Sequence, residues 1–135
     1  MISNTIWTLN HRNRQTMHNI LYVDDAHSLR QLVEMVLSKN YMVTCAEDGQ
    51  QGLELANSNH YDLIISDINM PKMNGFELLE ALRSSERYKF TPILMMTTEA
   101  SQEMKDKGKA LGATGWIIKP FDPDKLLKVI ERVLM

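Results

Sequence analysis

Five short apolar runs recur along this chain, each followed by a stretch with helical spacing, and few folds accommodate that alternation. The runs read NILYV (19–23), YMVTCA (41–46), DLIIS (62–66), PILMM (92–96) and GWIIK (115–119). Between them, Leu29, Leu32, Val33, Val36 and Leu37 lie at helical spacing, and so do Leu126, Val129, Ile130, Val133 and Leu134. Segments 49–57 and 75–84 are shorter, with Leu53 and Ala56, then Phe76, Leu79 and Leu82, on their apolar sides. Segment 102–111 is the weakest, because Met104, Gly108 and Leu111 give a thin apolar stripe among lysines and acids. Strands that alternate with helices predict an α/β fold: a doubly wound, five-stranded parallel sheet with five helices covering both faces.

The composition narrows the class. A chain of 135 residues with 44% apolar and 24% charged residues suits one globular domain rather than a disordered polymer. A net charge of −2 with both signs interspersed gives no footprint for nucleic acid. No apolar run reaches bilayer-spanning length, and the start MISNTIWTLNHRNR lacks the order of a secretory signal. The lone Cys45 has no partner for an internal disulfide, and its setting in YMVTCA reads as a small core residue. A cytoplasmic protein is expected. Residues 1–18 carry Arg12 and Arg14 but no acid and no sustained period, so they read as a flexible N-terminal extension to a domain at 19–135.

The chemistry lies at the strand ends. Asp24 and Asp25 close the first run, Asp67 the third, Thr97 the fourth and Lys119-Pro120 the fifth. In an open α/β sheet, ligands bind outside the carboxyl ends of the strands, so these residues are aimed at one rim. Three neighbouring carboxylates repel one another unless they are protonated or neutralised by a cation. Oxygen donors alone suit a hard cation such as Mg²⁺, which keeps waters and accepts a phosphoryl oxygen. A carboxylate can hold a phosphoryl group as an acyl phosphate, and an ammonium and a hydroxyl can stabilise that group. Alone, Asp24-Asp25 would more often read as acids near a helix start, Thr97 as a strand-end hydroxyl and Lys119 as a solvated cation. Their common placement favours a site.

The segments YVDDA, SDINMPKMNG, LMMTTEA and GWIIKPF, in that order, resemble the receiver domain of bacterial response regulators. The stand-alone, CheY-like chemotaxis regulators are the nearest type. The spacing agrees, with thirty residues from Asp67 to Thr97 and twenty-two from Thr97 to Lys119. The resemblance covers about residues 18–135 and implies the strand order 2-1-3-4-5. It makes Asp67 the phosphoacceptor and Mg²⁺ the cofactor, bound by Asp25, Asp67 and the Asn69 backbone carbonyl, with Asp24 acting through a water. Thr97 and Lys119 would contact the phosphoryl group, Asn69 and Glu99 would tune its loss, and Lys119-Pro120 would carry a cis peptide. Trp116 stands where many members have Tyr or Phe, and its bulk implies only partial insertion during switching. Asn74 replaces a more usual Asp before Gly75, and either residue caps a helix.

The function implied is a signalling switch that catalyses its own phosphorylation and dephosphorylation and has no separate substrate. A histidine kinase of the CheA-like kind would donate, and a protein bound around residues 102–134 would receive the signal, a flagellar motor switch protein by analogy. With no effector segment after Met135, output by binding is expected, from a monomer. A relay or phosphate-sink role outside chemotaxis is the near alternative. A Mg²⁺-dependent phosphatase with an aspartyl nucleophile is a weaker one, because Asn69 stands where such enzymes carry a second acid. A domain that has lost phosphorylation is disfavoured by the intact set of residues. The four histidines show no metal-ligand spacing.

Overall fold

The strand runs pair as their apolar character demands. In the computed structural model, which describes residues 17–99 and 101–135, β1 (Asn19–Val23) lies between β2 (Met42–Ala46) and β3 (Leu63–Ser66). Next come β4 (Ile93–Thr97) and β5 (Gly115–Ile118), giving one parallel sheet in the order β2-β1-β3-β4-β5. The expectation of a flexible extension falls on residues that, up to 16, lie outside those described.

Period-two alternation divides the strands between two cores. Leu21, Val23, Ile64, Ile93 and Met95 face one side, where they pack with Ala56 of α2 (Gly49–Ser58) and Leu79 and Leu82 of α3 (Gly75–Arg83). Ile20, Tyr22, Leu63, Ile65, Leu94 and Met96 face the other, against Val33 and Leu37 of α1 (His27–Leu37) and Leu126 and Ile130 of α5 (Pro123–Leu134). The remaining helix, α4 (Gln102–Ala110), contributes Met104 to the first core, and its one fully buried residue is Gly108. Cys45 departs from its expected core position. It is half-buried on β2, which is an edge strand of the sheet among the described residues.

Helix starts follow local capping chemistry. Asp48 accepts from the Gln51 N–H, Ser101 from the Met104 N–H, and Asp122 precedes Pro123 at the start of α5. Asn74 forms a reciprocal capping box with Glu77, so the Asp-to-Asn change at this position keeps the cap. Among the described residues, no helix is long and apolar enough to cross a membrane.

A guanidinium holds the far end of the sheet together. Arg83 donates to the carbonyls of Tyr88 and Thr91 at 2.7 Å and of Gly112 at 2.9 Å. It thereby ties the end of α3 and the short 3-10 turn Glu86–Tyr88 to the segments that start β4 and β5. Replacing it by Met keeps much of the stem but strips three carbonyls of their donor. Each orphaned group costs about 1–3 kcal/mol, and partial solvent access reduces that. Arg83→Met should therefore lose about 2–4 kcal/mol in a denaturant titration with unchanged slope. A loss below about 0.5 kcal/mol, the scale of an ordinary surface change, would show that water replaces the clamp.

Candidate active site

Parallel strands end on one rim, and three of them deliver acids or the ammonium to a single point. Asp24 follows β1, and its N–H bonds to the Ala46 carbonyl of β2 at 3.0 Å. Asp67 follows β3, and its N–H bonds to the Val23 carbonyl of β1 at 2.9 Å. The backbone ladder thus carries both acids past the last paired residues. Asp24, Asp25 and Asp67 each offer an oxygen, and those oxygens lie within 4.8 Å of one another. Asp24 and Asp67 are buried while Asp25 is exposed, so the cluster has one open side. This all-oxygen donor set, short of positive charge, fits a hard divalent cation.

Lys119 joins the cluster from the end of β5. Its Nζ lies 2.7 Å from Asp24 Oδ2 and 3.0 Å from Asp67 Oδ2, and the Lys119-Pro120 peptide is cis. Asp67 Oδ1 accepts the Ile68 N–H at 2.7 Å, and Asp24 Oδ1 accepts the Ala26 N–H at 2.9 Å. The Tyr22 hydroxyl donates to Asp24 Oδ2 at 2.6 Å from inside the sheet. Asp24 thus serves the start of α1 through Oδ1 and the cluster through Oδ2, so the helix-start and site readings coexist in one side chain. The N-cap of α1 is Ala26, which has no side-chain cap bond.

The charges are unequally served. Burial pushes the Asp67 carboxyl above its ordinary value, against the opposing pull of Lys119 and the Ile68 N–H, and Asp24 adds repulsion. Burial alone would lower the Lys119 ammonium, but its bonds to Asp24 and Asp67 outweigh that and hold it above its ordinary value. One ammonium gains from two carboxylates, whereas Asp67 has one ammonium shared with a like charge. Burial and then the Asp24 bond push the Tyr22 phenol far above its usual range, so the hydroxyl stays a donor.

The other sequence candidates occupy the same rim. Thr97 ends β4 and is buried, and its Oγ1 accepts the Glu99 N–H at 3.3 Å, leaving its hydroxyl hydrogen for another acceptor. Asn69 and Glu99 are exposed on the loops that follow β3 and β4. Gly75 lets α3 begin hard against the site, since a Cβ there would fall 2.1 Å from the Asp67 carbonyl oxygen. Two contributors carried no signal in the sequence, the Tyr22 hydroxyl and the absent side chain of Gly108. Trp116 is half-buried, its indole N–H donates to the Glu99 carbonyl at 3.0 Å, and its ring centroid lies 6.3 Å from that of Phe76. A Cβ on Gly108 would meet Trp116 Cζ3 at 2.8 Å, so the missing side chain of α4 makes room for the indole.

The model of the response regulator receiver domain matches residues 20–131. The chain belongs to this family. The receiver is 35% identical over 116 residues to the chemotaxis protein CheY of Pseudomonas aeruginosa, covering 84% of this chain and 94% of that protein. It superposes on Vibrio cholerae chemotaxis protein CheY4 with a TM-score of 0.85 at 52% identity, over 88% of this chain and 100% of the other. It also matches the receiver domain of the sensor histidine kinase PA1611 of P. aeruginosa, which has a magnesium ion coordinated in its active-site cleft. That match has a TM-score of 0.82 at 27% identity, over 88% and 98% of the two chains.

Two outcomes follow from this geometry. In a helix interior Gly→Ala ordinarily stabilises by about 1 kcal/mol, but at Gly108 the added methyl must displace the Trp116 ring. Gly108→Ala in a Trp7→Phe background should therefore shift the indole emission and N–H resonance without the usual stability gain. An unmoved resonance with a more stable helix would contradict the seating of the ring.

The second outcome concerns pH. A carboxyl whose folded value is raised binds protons more tightly when folded. It favours the fold at low pH and loses that contribution as pH rises through the folded value. Asp67→Asn, in excess chelator, should then raise the melting temperature at neutral pH, and the gain should shrink in acid. A gain that grew in acid would reverse the sign argued here.

Proposed function

We propose that this receiver takes a phosphoryl group on Asp67 from a histidine kinase and thereby switches its binding to another protein. One observation carries the reading. At the carboxyl rim, a single ammonium bridges Asp24 and Asp67 while exposed Asp25 lies in the same cluster. A carboxylate nucleophile, its cation-binding partners and a phosphoryl-binding lysine are therefore available together.

In this reading, Asp25, Asp67 and the Asn69 backbone carbonyl would hold Mg²⁺, and Asp24 would act through a water. When bound, the ion offsets the charge of the incoming phosphoryl group and of the acids around it. An Asp67 carboxylate oxygen attacks phosphorus, the kinase imidazole departs, and the acid becomes an acyl phosphate. Lys119 turns to one phosphoryl oxygen and the Thr97 hydroxyl donates to another. Asn69 and Glu99, both exposed beside the rim, set how readily water reaches the acyl phosphate.

The signal leaves through α4, β5 and α5, residues 102–134. As Thr97 turns, the loop bearing Glu99 moves with it, and the indole of Trp116 is bonded to that loop. A cytoplasmic chemotaxis role, with a CheA-like donor and a flagellar motor switch protein as partner, has support from the two chemotaxis proteins it is similar to. A phosphatase reading has less, because the Asn69 amide cannot protonate a leaving group.

Acetyl phosphate with Mg²⁺ should add one phosphoryl mass to the wild-type chain, and Asp67→Asn should abolish it. Labelling of Asp67→Asn, or full labelling of the wild type in excess chelator, would overturn the reading. Mg²⁺ affinity should fall more for Asp25→Ala than for Asp24→Ala, with the latter still losing about tenfold. Equal losses would place both acids in the same relation to the ion.

A further inference from the structure

Asp24 is the most deeply enclosed of the three acids, and two donors share its Oδ2. Lys119 Nζ lies at 2.7 Å and the Tyr22 hydroxyl at 2.6 Å, while Oδ1 is occupied by the Ala26 N–H. Both Asp24 and Tyr22 are fully buried. Tyr22 sits in β1 among the apolar residues of the α1 and α5 side. Among the described residues its hydroxyl has one other hydrogen-bond partner, Met96 Sδ at 3.8 Å, a weak acceptor. Phenylalanine would fill this place without bringing a hydroxyl to the underside of an acid cluster.

The proposed reaction makes a demand on this oxygen. When Lys119 turns to the phosphoryl group, Asp24 loses an ammonium from a buried carboxylate oxygen, and such a loss is strongly unfavourable without another donor. A neutral hydroxyl already bonded there keeps the oxygen satisfied and oriented, and adds no positive charge to compete with a cation. We infer that Tyr22 is a positioning residue for phosphoryl transfer, holding Asp24 Oδ2 while Lys119 exchanges Asp24 for the phosphoryl oxygen. This inference rests on the phosphoryl-acceptor reading of Asp67.

The test is Tyr22→Phe in the full chain, with acetyl phosphate as donor and intact mass as the measure of rate. At saturating Mg²⁺ the labelling rate should fall about tenfold, the scale on which residues behind a reacting group act. The Mg²⁺ dissociation constant should change much less than the rate, since the hydroxyl supplies no oxygen to the ion and Asp25 and Asp67 are untouched. In an Asp24→Asn background, where no full charge remains on that oxygen, Tyr22→Phe should cause no further slowing. A hydroxyl that only completes the core would alter the melting temperature and leave the rate at saturating Mg²⁺ unchanged, which would overturn the inference. An equal slowing in the Asp24→Asn background would overturn it too, since Tyr22 would then act through another group. If the wild-type chain accepts no phosphoryl group, the reading of Asp67 falls first and this inference with it.

Discussion

One ammonium serves two buried carboxylates, and much of the architecture exists to bring them together. Lys119 bridges Asp24 and Asp67, which arrive from β1, β3 and β5, strands that are not all neighbours in the sheet. Parallel pairing supplies the common rim, since every strand ends on the same side. The arrangement leaves a deficit of positive charge, with Asp25 adding to it from the open side. A site with this imbalance is poised to receive a cation and resists the neutral packing that would stabilise the fold at the expense of chemistry. The close start of α3 behind Asp67, permitted by Gly75, packs backbone directly against the central acid.

The two faces of the sheet are built to different standards. One is closed by α1 and by the strongly amphipathic α5, whose Leu126 and Ile130 are fully enclosed. The other is closed by α2 and α3, while α4 adds little apolar surface and leans on Trp116, Phe76 and Met104. Helices with few buried contacts are drawn from the low-stability end of a structure, where movement is least expensive. The bond from Trp116 to the Glu99 carbonyl joins this helix's neighbourhood to the loop that follows Thr97. The site and the weakly held helix are thus separated by one loop and one ring.

The fold was legible because strand and helix periods are imposed by burial on both faces, which is complete or nearly so for β1, β3 and β4. All five strands lie where the apolar runs placed them, to within a residue at either end. Helix starts were less legible. The first turns of α1 and α5 are polar, so their apolar periodicity begins later than the helices at His27 and Pro123. The grouping of Asp24, Asp25, Asp67 and Lys119 could be read from strand ends alone. The hydroxyl of Tyr22 could not, because a tyrosine in an apolar strand reads as core, and only the packing shows where its oxygen points. Gly108 looked like a gap in a thin stripe, and its meaning depends on a ring eight residues away in sequence. The Arg83 clamp gave no sequence signal, since its acceptors are backbone carbonyls that every residue carries.

The order of the strands has a consequence for synthesis. Lys119 and Asp24 are 95 residues apart, and among the described strands β5 is the most C-terminal and an edge of the sheet. A growing chain emerges from its N-terminus, so Asp24, Asp25 and Asp67 are translated before the ammonium that pairs with them. Until β5 docks, the acids have no lysine and the rim is incomplete. The full set of charges at the rim is therefore assembled by a late long-range contact rather than by pairing of elements near in sequence. A chain that stops short of Lys119 keeps the carboxylate of Asp67 but lacks the ammonium that pairs with it.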